Sequence, residues 1–289
     1  MKSKLLIRFM LLLVSGTTLF MITPIEEVSA DPIYPDDMIA YWTFDEGSGN
    51  TAHDVISGYD GTIHGATWTN GKVGGGLYFD GTNDLVIVPD GAYDTYQYGT
   101  LEFWYQFDPG QQGVIMAKDT NPVNGGTFNI AYYGNYQNNG HDKIAFLQTH
   151  YNYHVDVGVG RAMDADNWHH VAVVFDPTGI KSYFDGQLDA YNDTYTNGWT
   201  DSSFDLVFGA IDSTRPGCGP CRYVDGFEQY FKGHLDEIAL YSRALTADEI
   251  QQHYASGDSY AATVPEPTTM LFLGTGLLGL AGARRKMKK

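Results

Sequence analysis

Residues 39–257 break into short runs rich in aromatic and β-branched side chains, each closed by a turn carrying Gly or Asp. The runs 39–44, 77–79, 85–88, 100–107, 114–116, 128–133, 144–147, 170–175, 181–184, 206–208 and 235–241 read as strands. Several alternate apolar with polar residues, the period of a half-buried strand. Between them stand Asp60-Gly61, Asp80-Gly81, Asp90-Gly91, Asp176 to Gly179 and Asp185-Gly186, whose residues suit tight turns. Many short strands at this spacing predict an all-β fold, a sandwich or a barrel. One helix stands apart. Thr246-Ala247-Asp248-Glu249 is a capping box, Ile250 and Tyr254 share a face, and Gly257 is the stop. No repeat or compositional break interrupts 39–257, so it reads as one domain.

The two ends are of a different kind. Lys2, Lys4 and Arg8 precede an apolar run from Phe9 to Ile22, and Val28-Ser29-Ala30 supplies small residues for a signal peptidase. Residues 1–30 therefore read as a secretory signal peptide, with a linker at 31–38. After a second linker at 258–263, the other end runs Val264-Pro265-Glu266-Pro267, an apolar stretch at 270–283, and a basic end, Arg284-Arg285-Lys286-Met287-Lys288-Lys289. Fourteen apolar residues make a helix of about 21 Å. That is short of the ~20 residues a spanning helix usually needs, so it would cross only where the bilayer thins or flanking residues are drawn in. The basic end should stay cytoplasmic, which puts the domain outside.

Charge narrows the partners. Three of the 17 basic residues lie in the signal peptide and five in the tail, leaving nine for residues 31–263. Three of the 35 acidic residues, Glu26, Glu27 and Glu266, also fall outside, so the mature domain is near −23. That disfavours nucleic acid, whose phosphates are met by Lys and Arg, and anionic polymers unless cations bridge them. It is compatible with neutral glycans, with calcium, and with plain solubility outside the cell. Cys218 and Cys221 are the two cysteines. Their Cys-Gly-Pro-Cys string lacks the βαβ context of a redox motif. In an oxidising compartment it reads as a small loop disulfide.

The tail, on Val264-Pro265-Glu266-Pro267 with its apolar and basic segments, resembles a PEP-CTERM sorting signal, here residues 264–289. The resemblance implies an exosortase-type membrane protease as partner, temporary anchoring through residues 270–283, and a Gram-negative envelope or extracellular matrix. The domain resembles a laminin-G-like, concanavalin A-like jelly roll. The matching pieces are Tyr41 to Gly49, Tyr59 to Thr62, Gly74 to Gly81, Asn167 to Ala172, Tyr183 to Gly186, Gly233 to Tyr241 and Arg243 to Ile250. That implies two antiparallel sheets packed face to face, a fold that serves lectins, hydrolases, lyases and adhesive modules alike.

Retaining glycosidases of this fold resemble one another in a Glu-x-Asp strand motif ending in a second Glu, which sets two carboxyls about 5 Å apart. The domain's glutamates are Glu46, Glu102, Glu228, Glu237 and Glu249, and none stands in such a motif. Asp236 and Glu237 are adjacent, so strand alternation should send them to opposite faces. No catalytic residue is expected. His169-His170 reads as a structural piece of the resembling pattern, and His150 with His154 share strand parity for a weak metal site. Calcium is the better metal expectation. Asp45, Glu46, Asp80, Asn83, Asp84 and Asp236 fall at the acidic turns of that pattern, and the resemblance implies a site at Asp45, Asn83 and Asp236; turn chemistry is the competing explanation. For glycans, Tyr132, Tyr133 and Tyr136 with Tyr151 and Tyr153 offer ring faces near Asn and Gln, and the segment from Tyr195 to Trp199 is a second candidate. Tyrosine also suits ordinary sandwich strands. The expectation is a non-catalytic lectin-like module of the envelope, with a ligand-free matrix protein as the alternative and a carbohydrate-active enzyme third.

Overall fold

The computed structural model describes residues 34–91, 98–108, 112–118, 128–136, 141–148, 153–157, 167–193, 204–212 and 227–258. In chain order the strands are β1 (Met38–Trp42), β2 (Thr51–Ala52), β3 (Gly61–His64), β4 (Thr67–Asn70), β5 (Gly75–Asp80), β6 (Leu85–Val88), β7 (Gly99–Phe107), β8 (Gln112–Lys118) and β9 (Phe128–Tyr136). They continue with β10 (His141–Gln148), β11 (Tyr153–Val157), β12 (His169–Asp176), β13 (Gly179–Phe184), β14 (Gln187–Asn192), β15 (Leu206–Phe208), β16 (Ile211–Asp212), β17 (Phe227–Glu228) and β18 (Lys232–Tyr241), before the helix α1 (Ala247–Ser256).

Antiparallel pairing sorts them into two large sheets. Sheet A runs β14-β13-β12-β7-β18-β5-β4, with β1 also paired to β18; sheet B runs β11-β10-β9-β8-β15-β6-β3-β2. The strand β16 pairs with β17 in a separate ribbon. The stretch 210–232, which shows no strand pattern in the sequence, thus holds that ribbon.

Alternation builds the core. Leu101, Phe103, Tyr105 and Phe107 of β7 point to the same side as Leu235, Ile238 and Leu240 of β18, and all join Val86, Ile115 and Phe208 of sheet B in one buried cluster. Trp42 meets Phe208 edge-on at 5.2 Å between ring centres. Asp185 and Gly186 adopt φ of +48° and +75°, the left-handed pair that a two-residue hairpin between β13 and β14 requires.

A single carboxylate fixes the loop after β1. Asp54 is buried. It accepts the amides of Tyr41 at 2.9 Å, Ile56 at 3.0 Å, Ser57 at 3.1 Å and Tyr59 at 3.1 Å. The bonds tie β1 to the segment leading into β3.

The helix covers part of the outer face of sheet A. Its capping box is complete: Glu249 N–H donates to Thr246 Oγ1 at 3.3 Å and Thr246 N–H donates to Glu249 Oε2 at 2.7 Å. Gly257 closes it at φ +92°. Arg243 grips Glu249 with both terminal nitrogens, at 2.9 and 2.6 Å, and donates its Nε proton to Asp37. Those bonds hold the Glu249 carboxyl down, to about 2. Underneath, Ile250 and Leu245 pack on Ala172, Val174, Ala239 and Tyr241.

Beside that apolar patch lies a buried polar one. His253 Nδ1 is 2.8 Å from Glu102 Oε2, and Tyr254 stacks on Trp104 at 5.7 Å. Lys72 places its ammonium 4.2 Å from the Trp104 ring centre. His170 is fully buried beside them, its Nε2 3.9 Å from Glu102 Oε1, too far for a hydrogen bond. Burial first, and then the charge of His253, hold the His170 pKa down to about 3, although Asp185 pulls the other way.

Two outcomes follow from this framework. Asp54→Ala leaves four amides without their acceptor and should cost on the order of 3 kcal/mol in urea denaturation; a loss under about 1 kcal/mol contradicts the role. His170 binds its proton more weakly folded than unfolded. Its contribution is complete above the ordinary value of 6.5 and is lost as pH falls toward about 3. In that window His170→Phe should reduce the fall of stability by up to about 1.4 kcal/mol per pH unit. Parallel stability–pH curves for variant and parent contradict it.

Candidate functional site

Two acidic residues of the sequence pattern, Asp45 and Asp236, meet at the β4–β5 turn. Asp236 Oδ2 accepts the Val73 amide at 3.0 Å, and Asp45 Oδ1 accepts the Gly75 amide at 2.6 Å. Glycine is required here: a Cβ at Gly71 would lie 1.7 Å from the Gly75 carbonyl oxygen and 2.4 Å from Asp236 Oδ2. Burial, and then the neighbouring Glu237, push the Asp236 carboxyl up to about 9, against the pull of three backbone amides.

Asn83 is elsewhere. The strand β5 starts at the Asp45 end and finishes at Asp80, five residues or about 17 Å further on, and Asn83 lies in the turn beyond. There Asp84 Oδ2 accepts the Asp80 amide at 2.8 Å and Asp80 Oδ1 accepts the Thr82 amide at 2.7 Å. Glu46 Oε1 accepts the His53 amide at 2.6 Å. Asp45 and Asp236 thus share one turn, and the full trio does not surround one point. Among the described residues no group of three or more His, Cys, Asp and Glu side chains is arranged to hold a metal ion.

The expectation that Asp236 and Glu237 face opposite ways needs correction. Asp236 pairs with Trp104, but Ala239 pairs with Glu102, so β18 carries one extra residue against β7. Glu237 takes it up at φ +53°, a left-handed conformation at a bulge. Both carboxyls consequently lie on the outer side of sheet A, Asp236 against the β4–β5 turn and Glu237 accepting the hydroxyl of Tyr41. Each is buried.

The tyrosine candidates separate along the strands. Tyr132, Tyr133 and Tyr136 of β9 pair with Ile144, Lys143 and His141 of β10. Tyr153 of β11 pairs with Gln148 at the other end of β10, about 17 Å from Lys143 along the strand. Tyr151, His150, the segment from Tyr195 to Trp199, Cys218, Cys221 and Val264 to Pro267 lie outside the described residues. His169 Nδ1 lies 3.0 Å from Asp185 Oδ2, and the His170 amide donates to Asp185 Oδ1 at 3.0 Å.

Register assembles a set that the sequence does not. On the outer face, beyond the end of sheet A covered by α1, Tyr78 of β5 pairs with His234 of β18, and His234 pairs with Gln106 of β7. Trp168, directly before β12, reaches over to His234 with ring centres 5.9 Å apart; Tyr78 and His234 are 4.8 Å apart. All four are half-exposed, and Thr67, opposite Tyr78 on β4, is exposed. Asp108 borders the row, accepting from Tyr78 Oη at 3.3 Å and from Lys232 Nζ at 3.0 Å. The one signal in the sequence is alternation: Tyr78 lies between the buried Leu77 and Phe79, and His234 precedes the buried Leu235.

Known proteins place this architecture. The family model described as the concanavalin A-like lectin/glucanases superfamily matches residues 80–251, more than half of the chain, and that of the PEP-CTERM protein-sorting motif matches residues 263–286. No curated protein sequence matches. Domain 4 of AbnA, a GH43 extracellular arabinanase from Geobacillus stearothermophilus solved with arabinotriose, is similar at 18% identity and TM-score 0.54, over 74% of this chain and 97% of that one. Trypanosoma rangeli sialidase with sialic acid aligns at 17% identity and TM-score 0.54, over 82% of this chain and 36% of the sialidase. The binding domain of Paraclostridial Mosquitocidal Protein 1 aligns at 13% and 0.55, over 76% of this chain and 52% of that one. The chain thus spans about a third of the sialidase, and at these identities the likeness is one of fold. The sorting motif marks an exported protein of a Gram-negative bacterium, anchored in the membrane during sorting. With two antiparallel sheets around one core and a family match over most of the domain, the chain belongs to the concanavalin A-like lectin/glucanase superfamily.

Proposed function

We propose that this protein is a non-catalytic, lectin-like module that holds extracellular polysaccharide at the cell envelope. One observation carries the reading. The carboxyl pair that the bulge brings to one side of sheet A, Asp236 and Glu237, is buried and engaged by amides and a phenol. A glycosidase needs one carboxyl open to the glycosidic oxygen and a second open to the anomeric carbon or to water. These two are part of the framework instead.

Two further features support it. The arabinanase relative is a separate domain solved with an oligosaccharide and aligned over nearly its whole length. The strong negative charge of the mature domain points to neutral sugars, since a uronate or sulfated chain would be repelled. The tail supplies the other partner: an exosortase-type protease reading Val264-Pro265-Glu266-Pro267, with residues 270–283 in the bilayer meanwhile.

The full chain, purified in detergent, should bind at least one of arabinan, galactan and β-glucan saturably in affinity electrophoresis. It should release no reducing ends from the same polymers on long incubation. Steady release of reducing sugar contradicts the non-catalytic reading. Absence of binding to all three contradicts the lectin reading and favours a matrix protein without a glycan ligand.

A further inference from the structure

We infer that the end of the outer face of sheet A that no described element covers, the row Tyr78–His234–Gln106–Trp168, is the surface that takes an uncharged polysaccharide segment. The inference rests on the lectin reading above and names its site, which differs from the tyrosines of β9 and β11.

The row crosses four adjacent strands, β5, β18, β7 and the start of β12. Three steps of about 4.8 Å make it roughly 14 Å long, suited to a short oligosaccharide rather than a single ring. Its rings adjoin one another, Tyr78 to His234 at 4.8 Å and His234 to Trp168 at 5.9 Å, tilted by 49° and 62°, so they form a faceted cluster rather than a flat strip. Being carried on paired strands, the cluster is set before a ligand arrives, and little ordering entropy is lost on binding. Ring faces suit the C–H faces of a sugar. The Gln106 amide, the Thr67 hydroxyl and the Asp108 carboxylate supply hydrogen-bonding partners for its hydroxyls.

Charge selects the occupant. The cation at the row, Lys232, is bound to Asp108, so it is already neutralised. Burial lowers the His234 pKa, against the pull of Asp108, which favours a neutral imidazole. Among the described residues of the row an anionic polymer would meet no uncompensated positive charge, and it would face a strongly acidic domain. The row combines neutral donors and acceptors with ring faces, which is the complement of a neutral glycan. The other end of the same face is closed: α1 lies over Glu102, Trp104 and Ala172. A bound chain would therefore run across the strands at the level of Gln106.

The test is affinity electrophoresis of the full chain in detergent, through gels containing arabinan, galactan or β-glucan, with variants at the row. Trp168→Ala and His234→Ala should each weaken retention at least tenfold on the polymer that binds the parent. Trp168→Phe, which keeps a ring, should stay within about threefold, which guards against loss of fold as the cause. Tyr132→Ala and Tyr136→Ala should bind as the parent does. Unchanged binding of Trp168→Ala and His234→Ala overturns this site while leaving the lectin function standing, and loss on Tyr132→Ala would place binding on β9 instead. No binding by the parent overturns the function and the site together.

Discussion

The bulge at Asp236-Glu237 is the constraint on which sheet A depends. The strand β18 has β7 along one side; along the other it has β5 opposite residues 232–235 and β1 opposite residues 238–241. The bulge falls where one neighbour gives way to the next. It also switches which residues face outward. Before it, His234 and Asp236 are outside and Leu235 is in the core; after it, Ala239 and Tyr241 are outside and Ile238 and Leu240 are in the core. Were β18 to run regularly through Glu237 instead of bulging there, alternation would turn Ile238 and Leu240 out of the core. Two buried carboxyls hold the irregularity, Asp236 through the Val73 amide and Glu237 through Tyr41. Removing either partner would strand a buried polar group, which costs far more than the net value of the bond.

That switch divides the outer face into two ends with different fates. On one end the outward residues are the apolar Ala172, Val174, Ala239 and Tyr241 with the buried Glu102 and His170 beside them, and α1 lies over them. On the other they are aromatic, imidazole and amide groups, left half-exposed. A helix fixed by its capping box, by Arg243 and by Ile250 cannot slide over that second end without losing its own contacts. Covered framework and open face are thus set by the same strand register. The sorting tail adds the location: a domain exported and held at the membrane during sorting.

How much of this the sequence discloses varies with how local the cause is. The capping box at Thr246 and Glu249, the left-handed stop at Gly257 and the Asp185-Gly186 hairpin are legible because each depends on neighbours in the chain. Strands with strong apolar runs, such as β7, β12 and β18, are legible as well. The strands β2, β4, β11 and β14, which are not among the runs read as strands, end the two large sheets. An edge strand buries less and tolerates polar side chains, as Gln187, Asp189 and Asn192 on β14 show, so its apolar signature fades. The bulge is invisible because a glutamate at φ +53° is held by Tyr41, nearly two hundred residues away. The aromatic row is invisible for the same reason: residues 78, 106, 168 and 234 meet only through the register of four strands. The spacing of Asp45 and Asn83 is invisible too: a pattern of acidic turns carries no distances, and the two lie towards opposite ends of β5.

The most direct measurement is a crystal structure of the protein grown with an oligosaccharide cut from whichever neutral polymer it retains. The account predicts an intact sugar chain lying across Tyr78, His234 and Trp168, with Gln106 bonded to a hydroxyl and Asp236 and Glu237 still buried beneath the β4–β5 turn and Tyr41. A sugar seated on β9 and β10 instead, or a cleaved product beside an opened Asp236-Glu237 pair, would contradict it.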